Sequence, residues 1–177
     1  NRSHKKHLQL EHNVLNTADQ ILVTSPTTKK EFEQLTKQPI TVITNGYDVE
    51  NVGKVILDDK FSLAHIGSFL SKRNPRVFWK SLSELIKENP LFNAHFELKL
   101  IGAVSQEILD TITEFKLTTH TNYLGYMSHH EAVIAQRSSQ VLLLIEIDSD
   151  ETRSIIPGKL FEYMAAVRPI LAIGPEE

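Results

Sequence analysis

The sequence predicts an α/β fold: a parallel sheet with helices on both faces. Short apolar runs alternate with amphipathic stretches, and the connections between them are short. One run, VLLLIEI at 141–147, is apolar almost throughout, the pattern of a strand buried on both faces.

The runs ILVTS (21–25) and ITVIT (40–44) read as strands. TTKKEFEQLTK lies between them, charged on one side, with Phe32 and Leu35 at helical spacing. The rhythm resumes with FSLAHIG (61–67). In PRVFWKSLSELIKEN (75–89), Phe78, Leu82, Leu85 and Ile86 share one helical face. Asn74 is the expected N-cap there and Pro75 the first helical residue. HFELKLIG (95–102) reads as a strand, and SQEILDTITEF (105–115) as a helix with Ile108, Ile112 and Phe115 inward. TNYLG (121–125) is a short strand. SHHEAVIAQRS opens with Ser128 and Glu131 at capping-box spacing. After 141–147, KLFEYMAA reads as a helix and PILAIG (169–174) as a last strand.

The 177 residues suit one domain or a domain and a half. DVENVGKVILDDK (48–60) is polar, charged and non-periodic, and it follows the turn dipeptide Asn45-Gly46. It reads as a linker: residues 1–47 close one unit and 61–177 begin another, so that 1–57 is the first unit plus linker and 58–177 the second.

Composition excludes several classes. A net charge of −3 argues against a nucleic-acid partner, which needs clustered positive charge. The chain has no cysteine, so disulfides, thiolate metal sites and a cysteine nucleophile are impossible. No apolar run approaches the ~20 residues that span a bilayer. The chain begins at Asn1 with no signal peptide, the expectation for an excised segment of a longer cytoplasmic protein.

In sheets of this kind ligands bind beyond the carboxyl ends of the strands, so the strand-to-helix loops are the places for chemistry. HIGSFLSKRNP (65–75) joins a strand ending at Gly67 to a helix start, where free N–H groups and the dipole favour phosphate. Lys72 and Arg73 add charge, and read equally as a phosphate grip or as solvated cations. DSDETRSIIPGKLFEYMAAVRP (148–169) follows the most buried strand. Its Lys159, in a first helical turn, opposes the helix dipole unless an anion is bound. Glu162 is placed to accept hydrogen bonds from a ribose diol. The alternative for these two is a surface pair at i, i+3 worth ~0.2–0.5 kcal/mol. In GYMSHHE (125–131), Tyr126 and Met127 could flank a flat base or pack as an ordinary loop.

These three loops, in this order, resemble the donor-binding domain of GT-B glycosyltransferases, in the large retaining family that acts on sugar nucleotides. PGKLFEYMAAVRPILAIG carries the strongest likeness: Pro-Gly-Lys, a helix with a glutamate, small residues, then a Pro-initiated apolar strand. ADQILVTSPTTKKEFEQLTKQPITVITNGYD (18–48) is similar to the end of the acceptor-side domain, and HIGSFLSKRNP to the family's phosphate loop. The resemblance implies an incomplete GT-B molecule of Rossmann-like units. Residues 1–57 would end the acceptor-side domain, and 58–177 would form part of the nucleotide-sugar domain.

Residue by residue, the resemblance implies that Glu162 binds the donor ribose, while Lys159 and the Pro157–Gly158 turn cradle the diphosphate. Arg73 stands for the family's phosphate-binding lysine. Gly67 and Ser68 belong to the phosphate loop, with Ser68 where an arginine is common, and Tyr126 and Met127 lie beside the base. Ser154 stands where the family often has an earlier glutamate, and Val167 where a glycine is usual. Arg73 and Lys159 would be the catalytic cations. The implied donor is a nucleotide-diphospho-sugar, with no further cofactor and no protein-bound metal. The implied acceptor is a carbohydrate or a lipid-linked one, with contact to the inner membrane face through the missing part, and the segment alone is expected to be inactive. The alternative is a non-catalytic module that binds a nucleotide or a partner. A sugar-nucleotide epimerase would need acid and base residues that the sequence does not offer.

Two further clusters read as solvated. His4, His7 and His12 lie on a basic amino-terminal helix, and Asp148, Asp150 and Glu151 on a loop near the cleft.

Overall fold

The computed structural model describes residues 2–48, 50–147, 149, 152 and 155–174. Asp148, Asp150, Glu151 and Ser154, singled out above, lie outside them.

A first unit comprises α1 (Arg2–Thr17), β1 (Ile21–Val23), α2 (Pro26–Phe32) and β2 (Ile40–Val42). The two strands pair in parallel, Ile21 opposite Ile40. The oxygen of Ser25 caps α2 by accepting from Thr28 N at 3.1 Å, with Pro26 in the first turn. Leu15, Ile21 and Val23 form a small core with Ala18, Phe32, Ile40 and Val42 against it. Leu35 is exposed, because α2 stops at Phe32 and the helical face does not extend to it.

The second unit holds β3 (Phe61–Ile66), α3 (Arg76–Glu88), α4 (Pro90–His95), β4 (Phe96–Ile101), α5 (Gln106–Glu114), β5 (Thr121–Gly125), α6 (His129–Ser138), β6 (Val141–Ile145), α7 (Gly158–Ala165) and β7 (Ile170–Ile173). Its five strands are all parallel, in the order β5-β4-β3-β6-β7. Side chains alternate across each strand, and both faces are covered. Leu63, Leu98, Leu100, Leu143 and Ile145 face α3 and α5 through Trp79, Leu82, Ile86, Ile108 and Ile112. Ala64, Ile66, Ile101, Leu142 and Leu144 face α7 and α6 through Tyr163, Ala166, Ala132 and Ala135. The fold class is the one expected from the sequence.

The α3 face differs from the expected one. Trp79, Leu82, Ser83 and Ile86 are buried, whereas Leu85 is 42% exposed. The helix also begins later than expected, with Pro75 in the cap position and no side-chain cap bond. Asn74 is diverted: its oxygen accepts from the Trp79 indole N–H at 3.0 Å and its amide donates to Thr111 Oγ1 at 2.9 Å. That bond turns Trp79 inward, and Leu85 rotates outward with it. The capping box of Ser128 and Glu131 is present on α6.

Residues 43–60 connect the units without a helix or strand among those described. They are tied to the second unit. Asp58 N donates to Ser138 O at 2.8 Å, and the Asp58 carboxylate accepts from Ser62 at 2.6 Å and pairs with Lys99 at 2.7 Å. Arg137 donates to the Glu50 carbonyl at 2.9 Å.

The chain enters the sheet at β3, builds outward through β4 and β5, then returns to add β6 and β7 on the other side. The reversal falls between β3 and β6, and the crevice expected there opens at their carboxyl ends.

Candidate functional site

Four segments meet at that crevice: the loop after β3, the adjoining loop after β4, the residue after β6, and the start of α7. Gly67 follows β3 with φ 128°, a backbone region that side chains rarely adopt. A Cβ there would lie 3.0 Å from Lys159 Cε and closer still to its Nζ, so the glycine makes room for the lysine. Gly102 (φ 111°) follows β4, and a Cβ on it would stand 2.5 Å from Gly67 O. The two loops therefore nest. Gly67 N donates to Ile101 O at 2.7 Å, Phe69 N to Ala103 O at 2.7 Å, and Ser105 N to Phe69 O at 3.0 Å. Ser68 is exposed between these anchored neighbours.

Arg73 closes a single helical turn, Ser71–Arg73, before α3. It points across the sheet reversal to Glu146, the residue after β6, with Nη2 and Oε2 3.2 Å apart. The expected phosphate loop thus supplies its cation already paired.

Pro157 precedes α7 without a side-chain cap bond, which leaves leading N–H groups of the helix uncapped among the described residues, where an anion can bind. Lys159 is half-buried and donates to the carbonyl of Ile66. Burial lowers its pKa below the usual lysine range; Glu162 acts in the opposite direction, Arg73 with it, and Glu146 against it. Its charge is poorly solvated, and an anion at this spot would restore what burial removes.

Glu162, one turn on, is exposed and lines a cleft of about 220 Å³ with Gly46, Tyr47, Asp48, Glu50, His129 and Arg137. A second cleft of about 570 Å³ is lined by Arg73, Glu146, Thr152 and Pro157 with apolar Leu144, Ile147, Ile155 and Ile173. Both adjoin α7. Tyr126 and Met127 part company: Tyr126 is 91% exposed, while Met127 packs against the core beneath α7.

Two residues of this region escaped the sequence reading. Tyr163 is fully buried, and its hydroxyl accepts from Ile66 N at 3.0 Å. Burial, first among the causes, drives its pKa well above the ordinary tyrosine value. His65 is also fully buried, its Nδ1 3.0 Å from Leu143 O on β6 and its ring against Phe69. Burial pushes its pKa down to about 4, opposed by backbone hydrogen bonding from Leu143 and reinforced by Lys159. The imidazole is therefore neutral at pH 7, with Nδ1 donating and Nε2 without a hydrogen-bond partner among the described residues. The strand alternation that places Leu63 inward was the available signal for His65.

Among the described residues, no group of three His, Asp or Glu is placed to hold a metal ion. No described helix is long and apolar enough to cross a membrane.

No protein-family model matches the chain, and no curated protein matches it. Solved structures do. TarM of S. aureus, a mutant in complex with fondaparinux, α-GlcNAc-glycerol and UDP, superposes with a TM-score of 0.67 at 14% identity over 94% of this chain. Sucrose-phosphate synthase from Thermosynechococcus elongatus gives 0.68 at 17% identity over 95%. HepE of Anabaena, in complex with UDP and glucose, gives 0.65 at 15% identity over 97%. The chain spans 32%, 44% and 50% of those three chains, respectively. Its fold is that of the GT-B glycosyltransferases.

Proposed function

We propose that this chain is the nucleotide-binding part of a glycosyltransferase, which moves a sugar from a nucleotide-diphospho-sugar to an acceptor hydroxyl. The observation that carries the proposal is the convergence of the Gly67–Ser68 loop, Arg73, Lys159 and the uncapped start of α7 at the sheet reversal, on a fold shared with glycosyltransferases whose structures hold UDP.

In this reading the diphosphate lies over the start of α7 beside the loop after β3. The N–H groups there and the two cations balance the charge that grows on the leaving diphosphate, electrostatic stabilisation aimed at the transition state. The poorly solvated Lys159 gains most from that charge. Glu162 accepts from the ribose diol. Residues 1–57 belong to the acceptor side, the acceptor is a carbohydrate or a lipid-linked one, and transfer retains the configuration at the sugar. The setting is cytoplasmic, at the inner membrane face.

Amide hydrogen exchange with UDP, GDP and ADP tests the placement. Protection at Gly67, Ser68 and 158–160 by at least one of the three is the expected result. Protection elsewhere, or none with any of them, refutes it.

A further inference from the structure

Arg73 and Glu146 stand 73 positions apart in sequence and meet where the sheet opens, 3.2 Å between Nη2 and Oε2. Their side chains are 30% and 23% exposed, and together they border the larger cleft and a neighbouring one at the ends of β6 and β7. Lys159 is committed to the Ile66 carbonyl. Arg73 differs: among the described residues Glu146 is its only ion-pair partner, and a carboxylate is chemically a stand-in for a phosphate oxygen.

We infer that Glu146 is a placeholder for the donor's diphosphate: it holds Arg73 toward the crevice in the free chain and yields it when a diphosphate binds. The inference rests on the nucleotide-binding reading above. Ion pairs that keep part of their surface in water, as this one does, are weak. A diphosphate brings more charge and can take the guanidinium bidentately, so the exchange runs toward the ligand. It still opposes binding by the strength of the pair, because Arg73 must be released first. Glu146 then sets the affinity for the diphosphate part alone, and the nucleoside is indifferent to it.

The opposite role, a carboxylate that positions Arg73 for phosphate, gives the opposite sign, so one experiment decides. Inorganic pyrophosphate, UDP and uridine are titrated calorimetrically into the wild-type chain, E146Q, R73Q and R73Q/E146Q, with circular dichroism to show that each is folded. The expected result is pyrophosphate and UDP bound about fivefold tighter by E146Q, uridine unchanged, and no gain from E146Q when Arg73 is already glutamine. Equal or weaker binding by E146Q overturns the inference. So does the same gain in the R73Q background, which would mark a general charge effect. If pyrophosphate tightens in E146Q while neither UDP nor uridine binds any variant, the exchange stands and the nucleotide reading falls. If UDP binds with no response to E146Q, the reverse holds.

Discussion

The N–H of Ile66, the last residue of β3, donates to the hydroxyl of Tyr163 on α7 at 3.0 Å. The carbonyl of the same residue accepts from Lys159, one helical turn earlier. A single residue at the end of the central strand thus latches the helix that carries the candidate site, and one face of α7 is spent on holding it there.

Removing the hydroxyl should show the latch. Tyr163→Phe leaves a buried N–H without its partner, which costs about 1–3 kcal/mol. Denaturant unfolding should give a lower midpoint by that amount with an unchanged slope. An unchanged midpoint would mean that the bond contributes nothing.

Val167 offers the converse case. It follows α7 at φ 56° and is 76% exposed, so a β-branched side chain sits in the left-handed region with little packing in return. Val167→Gly removes the strain, and the chain should gain about 1 kcal/mol, read as a higher melting temperature. A loss of stability would show that the valine packs to more effect than its exposure implies.

His65 makes stability depend on acid. Its pKa is about 4 in the folded chain against 6.5 for a free imidazole, so the unfolded chain binds the proton first as pH falls. The stabilisation is fully present above pH 6.5 and is lost as pH drops toward 4, on the order of 3 kcal/mol in all. His65→Asn, which cannot titrate, should flatten that part of the stability curve. Parallel curves for the two proteins would place the acid sensitivity elsewhere.

Much of this was legible in the sequence, for a physical reason: strand and helix periods are local. TNYLG became β5 at the expected residues, and the alternating order gave the parallel sheet. The α3 face was not settled locally, because Phe78, Leu82, Leu85 and Ile86 and the set Trp79, Leu82, Ser83 and Ile86 both obey helical spacing. A hydrogen bond from Trp79 to Asn74 chose between them. The candidate site divided the same way. Gly67, Lys159 and Arg73 could be picked out by their loops, but not their partners Ile66 and Glu146, which only the folded sheet brings near.

Glu162 gives the most direct test of the central claim, that α7 grips a nucleoside diphosphate. It is exposed, so Glu162→Ala should leave the fold intact. Calorimetric titration with the nucleotide that protects 158–160 should show affinity reduced by about tenfold or more, the loss of hydrogen bonds to a charged group. Undiminished affinity in Glu162→Ala would contradict the account.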